Sequence, residues 1–308
     1  MTLGIGLCLP QLGEHVTLDA VRGFCLRAEE LGYSSLWVQD HFMWPLAPRR
    51  GYGGRSGAPI PHQYKSVFAP TELLTAAAAW TSNVALGTSI LVAGNHWPVS
   101  LAVRLATIDH LSNGRLIVGL GVGWNAEEHD AAGTSIETRG ERIDDFLQAM
   151  LACWGQDPVS HDGPFFQIPP SVIRPKPLQT PRPRLLSGMW SARGLDRTAA
   201  HYDAWNPAGM PVAKSAEILS DLNARRSEDQ KPLELYHRSF AQFPLQPTPA
   251  DDPVQRIAAE AREASAAGFT ELVIELNFSD EITSPADWVA VPDRYVPVVQ
   301  AAAQTRGR

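Results

Sequence analysis

The sequence predicts a single α/β domain folded as a (β/α)8 barrel, the TIM barrel, over residues 1–308. Eight short β-rich segments alternate strictly with amphipathic helices, which indicates a parallel sheet with helices on its outer face. Eight such units in a chain of this length favour a closed barrel over an open sheet. Hydrophobic residues make up 44% and charged residues 19% of the chain, a balance typical of a protein with one large core.

The predicted elements follow from hydrophobic periodicity and from local start and stop signals. Gly32 ends the first helix, Pro70 opens the second, and Ser112-Asn113-Gly114 is the turn into the fourth strand. The predicted strands are residues 3–9, 35–39, 84–91, 115–119, 184–187, 203–206, 234–240 and 271–276. The predicted helices are residues 17–31, 71–81, 98–110, 138–154, 191–201, 212–226, 253–267 and 285–303.

Two segments depart from this alternation. Residues 159–168 are predicted to form a small hairpin that turns at Asp162-Gly163, and an extended proline-rich stretch follows it. Residues 43–69, after the second strand, are rich in glycine, proline and arginine. A long loop inside a compact fold is more often functional than accidental, so this extended loop is predicted to be a lid.

Composition and charge argue against several classes of partner. A net charge of −7 without a basic run disfavours nucleic acids and anionic membrane surfaces. No apolar run approaches the roughly 20 residues of a membrane helix, and the first strand follows the N-terminus without a charged leader, which predicts a cytoplasmic protein. Cys8, Cys25 and Cys153 are widely separated and fit reduced thiols, and the histidines lack metal-site spacing, so no metal is expected. A small molecule is the expected ligand.

The Asp40-His41 pair follows the second predicted strand directly. Catalytic groups of a (β/α)8 barrel come from the C-terminal ends of its strands. A histidine there can exchange protons near neutral pH, and an adjacent carboxylate can orient it. We therefore predict His41 and Asp40 as catalytic residues, with a histidine that only caps a backbone carbonyl as the alternative.

Further candidates follow strands four and five. The glycines of residues 119–123 do not match the dinucleotide fingerprint, and no acidic residue is placed to hold a ribose, so a nicotinamide-binding Rossmann site is excluded. Residues 187–191 precede a helix, where exposed N–H groups could bind phosphate; an N-cap role for Ser191 is the alternative. Four tryptophans at or beyond strand ends would suit a planar aromatic ligand: Trp44, Trp97, Trp124 and Trp190.

A series of short landmarks runs along nearly the whole chain. They are residues 6–11 (GLCLPQ), 35–42 (SLWVQDHF), 86–89 (LGTS), 107–115 (TIDHLSNGR), 119–124 (GLGVGW), Gly133 and residues 139–142 (RGER). Each landmark is modest, but their order and spacing are specific. In these landmarks the chain resembles the bacterial luciferase-like superfamily of flavin- and deazaflavin-dependent oxidoreductases, whose fold is the same barrel.

The resemblance implies a flavin or deazaflavin ring over the barrel mouth, backed by a non-prolyl cis peptide bond at Ser89-Ile90. It implies that the ring also meets the turn after strand four, while the phosphate-bearing tail runs toward the segment after strand five. The cofactor-binding residues that it implies are Asp40, Thr88, Ser89, Ile90, Gly121, Val122, Gly123, Trp124, Ser187, Gly188, Met189, Ser191 and Arg193, the last as a bidentate phosphate ligand.

His41 matches the histidine that deazaflavin-dependent members hold near the reactive ring carbon, and Asp40 would orient it. Some relatives have a glutamate as partner acid at the turn after strand four, whereas Trp124 stands at that position here. The resemblance therefore does not extend to sugar-phosphate dehydrogenase activity. One of residues 127–129 (Glu-Glu-His) could replace the missing acid, although acids in the first turn of a helix ordinarily stabilise its dipole.

The resemblance leaves two cofactors open. The deazaflavin coenzyme F420 transfers hydride, whereas reduced FMN with oxygen gives a monooxygenase. The compact length, the Gly123-Trp124 turn and an arginine-rich composition typical of actinobacteria favour F420. The predicted function is therefore hydride transfer between F420 and a small organic substrate, with an FMN-dependent monooxygenase and a non-catalytic flavin-binding protein as alternatives.

The lid and the family pattern also suggest a substrate and an assembly. Tyr52, Tyr64 and Phe68 predict an apolar or aromatic substrate, anionic if one of the lid arginines (Arg49, Arg50, Arg55) points inward. The resemblance implies a homodimer formed through helices that flank the early strands.

Overall fold

Eight parallel strands close into a barrel in the computed structural model, which describes residues 2–244 and 251–304. The strands of the described residues are β1 (Gly4–Cys8), β2 (Ser35–Val38), β3 (Ala85–Thr88), β4 (Leu91–Val92), β5 (Leu116–Gly121), β6 (Val159–Asp162), β7 (Gln167–Ser171), β8 (Arg184–Ser187), β9 (Ala204–Trp205), β10 (Glu234–Phe240) and β11 (Glu271–Glu275). The barrel runs β1, β2, β3, β5, β8, β9, β10, β11 and back to β1, every pair parallel. The predicted (β/α)8 barrel is confirmed.

Helices surround the barrel. Those of the described residues are α1 (Leu18–Glu30), α2 (Pro70–Trp80), α3 (Pro98–Leu111), α4 (Ala126–Ala131), α5 (Arg139–Trp154), α6 (Ala192–His201), α7 (Val212–Ala224), α8 (Pro253–Ala266), α9 (Pro285–Arg294) and α10 (Val296–Gln304). Proline occupies the first turn of α2, α3, α8 and α9, where its missing N–H has no intrahelical acceptor to lose. None of these helices is long and apolar enough to cross a bilayer.

Some barrel strands are largely apolar in sequence because both of their faces are covered. β2 and β5 are buried along their whole length, between the barrel interior and the helical shell. The shell is itself well packed: the Trp288 ring of α9 meets the Phe24 ring of α1 edge-on at 6.4 Å, and the Trp154 indole of α5 donates to the Ala102 carbonyl of α3 at 3.0 Å. Apolar pattern and parallel topology therefore agree.

One predicted helix is wrong. Residues 285–303 were expected to be a single helix, whereas α9 ends at Arg294 and α10 begins at Val296. Pro297 explains the break, since inside a continuous helix its ring would collide with the carbonyl four residues earlier and its nitrogen has no proton to donate. In the first turn of a new helix both penalties vanish.

The predicted hairpin is present and is tied to the barrel. β6 and β7 pair antiparallel around Asp162 and Gly163. The buried carboxylate of Asp145, on α5, accepts hydrogen bonds from His161 Nε2 at 2.6 Å and from the amides of Phe165 and Phe166 at 2.8 and 2.9 Å. Although burial alone would raise it, these hydrogen bonds lower the pKa of Asp145, so the carboxylate stays ionised and holds the hairpin.

The long segment after β2 folds back over the C-terminal ends of the strands. It contains two 3₁₀ turns, Tyr52–Gly54 and His62–Lys65, and returns to the barrel where Val67 bridges Leu12. The Gln11 side chain donates to the Phe68 carbonyl at 2.8 Å and to the Gln39 carbonyl at 2.7 Å, so the end of the segment is tied to β1 and β2. We call residues 43–69 the lid.

Candidate active site

His41 and Glu128 form a buried pair at the mouth of the barrel. His41 follows β2 and is 8% exposed, while Glu128, in the first turn of α4, is 2% exposed. Nδ1 of His41 lies 3.1 and 3.2 Å from the two carboxylate oxygens of Glu128. The same carboxylate accepts the Phe42 amide at 3.0 Å, which fixes its position. Because a carboxylate accepts hydrogen bonds, Nδ1 is the donor and Nε2 is the nitrogen left to exchange a proton.

The Asp40 side chain is hydrogen-bonded to His96 rather than to His41, so the expectation that it orients the histidine is wrong. Its carboxylate accepts hydrogen bonds from His96 Nε2 at 2.8 Å and from the Val92 amide at 2.9 Å. Consecutive residues leaving a strand point in different directions, so neighbours in sequence need not share a site. Asp40 instead joins the end of β2 to the turn that follows β4, and its backbone N–H donates to the Ile90 carbonyl at 3.2 Å.

Aromatic rings surround His41. The Tyr64 ring of the lid stands edge-on to the imidazole at 4.5 Å, and the Trp124 indole lies 5.3 Å from it. Tyr52, also in the lid, packs on Trp124 at 5.5 Å and on Phe278 at 6.3 Å. The predicted lid therefore contributes a layer of aromatic side chains directly above the proposed catalytic group.

The Ile90 side chain packs against two glycines, and we call Ile90, Gly121 and Gly188 the cradle. The Ser89-Ile90 peptide bond is cis, as the resemblance implied, and the Ile90 side chain is half-buried. A Cβ at Gly121 or at Gly188 would lie 2.7 Å from Ile90 side-chain atoms, closer than carbon atoms approach. Two bare backbone segments thus pack against one branched apolar side chain. Bare backbone and an apolar side chain are surfaces that would suit the face of a flat ring such as that of a flavin or deazaflavin.

The turn after β5 is held from beneath by His129. Its Nε2 lies 3.0 Å from the Val122 carbonyl and its Nδ1 lies 2.9 Å from Thr134 Oγ1. Burial lowers the pKa of His129, so the ring is neutral and donates from Nε2 to the carbonyl. Gly123 adopts a φ of 75°, which favours glycine. His129 therefore shapes the turn, and Glu128 is the residue of the 127–129 group that reaches His41.

The predicted residues after β8 divide into two groups. The Ser187 hydroxyl is hydrogen-bonded to Thr198 Oγ1 at 2.7 Å, and the Met189 side chain is buried in the core, so these two side chains face the interior. Ser191 is the N-cap of α6 and accepts the Gly194 amide at 3.2 Å, which is the alternative role considered for it. Arg193 is exposed in the first turn of the same helix, beside N–H groups that suit an anion.

Thr88 and Ser89 form hydrogen bonds that join the strand ends around the site. The Thr88 hydroxyl donates to the Gly119 carbonyl at 2.9 Å and accepts the Gly119 amide at 2.7 Å, which joins β3 to β5. The Ser89 hydroxyl donates to Asn206 Oδ1 at 2.6 Å. The Ser89 carbonyl accepts Nη1 of Arg238 at 2.6 Å. These contacts hold the Ser89 side of the cis peptide bond.

Three charged or titratable residues at the mouth were not predicted. Arg238 on β10 pairs with Glu275 on β11, and both are buried. The third is His96, the partner of Asp40. The available signal was a charged residue near the C-terminal end of each of two predicted strands, since charged residues are almost never fully buried unless they are paired.

Comparison with known proteins shows which family the chain is similar to. A family model described as luciferase-like monooxygenase matches residues 6–250. The chain is 31% identical over 208 residues to an uncharacterised protein of Mycobacterium tuberculosis, covering 67% of this chain and 74% of that one. It is 27% identical over 240 residues to an FMNH2-dependent dimethylsulfone monooxygenase of Pseudomonas putida, covering 76% of this chain and 61% of that one.

Among solved structures, an F420-dependent secondary alcohol dehydrogenase in complex with an F420-acetone adduct superimposes with a TM-score of 0.74. The match covers 98% of this chain and 99% of that one at 16% identity, and so it shows the fold alone. The resemblance identified from the sequence and the prediction of a flavin- or deazaflavin-dependent oxidoreductase are confirmed at the level of the family. The chain belongs to the luciferase-like monooxygenase family.

Proposed function

We propose that the protein transfers hydride between the deazaflavin coenzyme F420 and a small organic substrate, with His41 handling the accompanying proton. The observation that carries this proposal is the buried His41–Glu128 pair, which the Asp40 amide connects to the Ile90 cradle through one backbone hydrogen bond of 3.2 Å. The His41 and Ile90 segments are therefore neighbours at the barrel mouth, which supports a proton-handling role for His41 beside a ring that rests on Ile90.

When bound, the coenzyme supplies a ring carbon that gives or accepts hydride. Ile90, with Gly121 and Gly188 against it, would back the ring. The first turn of α6, with Arg193, would hold the phosphate of the tail, since helix N-termini and arginine both favour anions.

His41 has one nitrogen for orientation and one for chemistry. Nδ1 is held by Glu128, which keeps the imidazole in one tautomer and one orientation. Nε2 would then take the proton of a substrate alcohol as hydride leaves it, or return that proton in the reverse direction. The aromatic lid above His41 would keep water away while hydride and proton move.

Titration of the full chain with F420 and with FMN, followed by cofactor fluorescence, tests the proposal. We expect micromolar binding of F420 and no binding of FMN in the same range. Arg193→Ala should weaken F420 binding about tenfold or more, because it removes a charged hydrogen-bond donor. Arg262→Ala, which changes an exposed arginine of α8, is the control and should bind as the unchanged chain does. Tight binding of FMN alone would refute the choice of F420.

The second candidate is an FMN-dependent monooxygenase on the same scaffold. The observation that favours it is the sequence identity with the FMNH2-dependent dimethylsulfone monooxygenase. In that case the same cradle and lid would shelter the flavin from water. Consumption of oxygen with reduced FMN and a substrate, without turnover of F420, would establish this alternative.

A further inference from the structure

The Arg238 side chain lies at the barrel mouth, close to Tyr52 and Tyr64 of the lid, and we call Arg238 and its partner Glu275 the floor. Arg238 lies on β10, and its guanidinium reaches across the barrel mouth to the Ser89 carbonyl, which it contacts through Nη1 at 2.6 Å. Nη2 is hydrogen-bonded to Glu275. The side chain is 9% exposed. Within residues 2–244 and 251–304, Nε is buried and has no hydrogen-bond acceptor. One strong donor of the floor therefore lacks a partner.

The Glu275 carboxylate, in contrast, has all of its hydrogen-bond acceptor positions filled by described residues. Its side chain is fully buried, and Oε1 accepts the Asn277 amide at 2.7 Å and the Asn277 side-chain nitrogen at 2.8 Å. Oε2 accepts Gln39 Nε2 at 3.2 Å in addition to Arg238. A carboxylate offers about four acceptor positions, and all four are taken. Glu275 therefore balances the positive charge of Arg238, and the Nε–H of Arg238 is a donor without an acceptor among the described residues.

The roof above this floor is aromatic and uncharged. Tyr52 and Tyr64 of the lid pack against Phe278, at 6.3 and 5.5 Å between ring centres. The Tyr64 hydroxyl donates to Gln39 Oε1 at 3.1 Å, which ties the roof to the floor. Burial raises the pKa of Tyr52 to about 12, so its hydroxyl is neutral at physiological pH. Of the lid arginines, Arg49 pairs with Glu127 and Asp130 at the surface, and the exposed Arg55 lies over the Phe243 ring at 5.9 Å.

We propose that Arg238 determines substrate specificity, its Nε–H donating to the uncharged carbonyl oxygen of an aromatic or alicyclic substrate that enters when the lid moves. This inference rests on the proposed function and names the substrate class of the same site. An anionic group is disfavoured because Glu275 already balances the charge of Arg238, and an amine is disfavoured because the floor has no acceptor left for it. The expectation of an anionic substrate depended on a lid arginine pointing inward, and one of these arginines, Arg49, is paired with carboxylates at the surface instead.

Three probes of similar shape test the inference by calorimetric titration of the full chain: 1-tetralone, tetralin and 1-naphthoate. We expect 1-tetralone to bind at least about tenfold more tightly than tetralin, the gain from one hydrogen bond to a charged donor. We also expect it to bind more tightly than 1-naphthoate. Arg238→Lys keeps a positive charge for Glu275 but has no donor at the position of Nε, so it should abolish the preference for 1-tetralone over tetralin. Arg55→Lys in the exposed part of the lid is the control and should keep it.

Equal binding of 1-tetralone and tetralin to the unchanged chain, tighter binding of 1-naphthoate, or no binding of any probe would overturn the inference without use of a variant. A preference that survives in a folded Arg238→Lys protein would overturn it as well. The cofactor titration is separate: a chain that binds neither F420 nor FMN but prefers 1-tetralone through Arg238 refutes the proposed function and keeps the carbonyl site. A chain that binds F420 but shows no preference for 1-tetralone refutes the carbonyl site and keeps the proposed function.

Discussion

His41 depends on a residue 87 positions away for its orientation, and this makes its role testable. His41→Ala should lower kcat by about 10²- to 10⁴-fold, the range for loss of a general acid–base group. F420 binding should be unchanged, since the cradle is intact. The measurement is coenzyme absorbance during turnover of alcohols and ketones found by screening, and cofactor fluorescence for binding. Equal turnover by the variant would support a non-catalytic flavin-binding protein.

Glu128 is a positioning residue, and its substitution should separate kcat from KM. Glu128→Gln removes the charge that holds Nδ1, so kcat should fall about tenfold or more while KM for the substrate stays the same. Glu127→Gln is the matched control, because the neighbouring carboxylate bonds Arg49 rather than His41. A fall of the same size in the control would show that α4 matters only as a structural element.

A substitution at Gly188 tests whether the cradle holds the ring of the coenzyme. A methyl group there would lie 2.7 Å from Ile90 Cγ2 and 3.0 Å from Cγ1, both near the stiff base of a β-branched side chain. Gly188→Ala should push Ile90 into the mouth and weaken F420 binding about tenfold or more in the fluorescence titration. Gly140→Ala in α5, where the nearest atom lies 3.5 Å away, should leave binding unchanged. If both variants bind alike, the cradle does not hold the ring.

Residue roles at this site were only partly predictable. His41 and Gly121 lie within the landmarks, Ile90 directly follows one of them, and Gly188 lies outside all of them; the structure packs Ile90 against both glycines. The pairing of His41 with Glu128 and of Asp40 with His96 joins separate elements, so no spacing along the chain reveals it. Sequence adjacency favoured Asp40 as the partner of His41, and strand geometry turned the two side chains apart.

At the scale of elements, the lid depends on a narrow turn at Gly51. A Cβ there would lie 2.1 Å from the Ala58 carbonyl oxygen and 2.5 Å from the Arg55 carbonyl oxygen, both backbone atoms that cannot move aside cheaply. Gly51→Ala should therefore loosen residues 51–58 and speed tryptic cleavage at the lid arginines, with little change in the melting temperature of the barrel.

Gly57→Ala is the control for this experiment, because a Cβ at Gly57 meets nothing within 4 Å and adds only the cost of its φ of 73°. That cost is about 1–2 kcal/mol. Cleavage of the Gly51 variant at the rate of the unchanged chain would mean that the turn does not hold the lid. The existence of the lid was predictable from its length and composition, but its packing on Phe278 was not, since that strand end lies far along the chain.

At the scale of the whole molecule, the base of the barrel buries a carboxylate. Glu271 at the start of β11 accepts the Ser34 hydroxyl at 2.8 Å and is also hydrogen-bonded to Ser35. Burial raises the pKa of Glu271 from 4.5 to about 6, against the effect of these hydrogen bonds. The folded state therefore favours the protonated form, and ionisation above the folded pKa reduces the stability of the fold.

Glu271→Gln should accordingly increase the free energy of unfolding at pH 7.5 by up to about 2 kcal/mol, the equivalent of a shift of this size. The difference should shrink as the pH falls through 6 and disappear below 4.5, where the carboxyl is protonated in both states. Urea denaturation at pH 7.5 and pH 4.5 measures it, with Glu14→Gln at the surface as the control. A variant less stable than the unchanged chain at pH 7.5 would show that the ionised Glu271 carboxylate does not destabilise the fold.

Periodicity and turn residues were sufficient to predict the barrel and its alternating elements, because these patterns involve residues close together in the chain. The resemblance carried by the ordered landmarks implied the family and the cis peptide bond. Tertiary structure alone decided which acid serves His41, which arginine lies under the lid, and which predicted side chains turn inward, as Ser187 and Met189 do. The physical reason is that barrel closure brings eight strand ends to one mouth, and contacts there join residues that only the closed sheet makes neighbours.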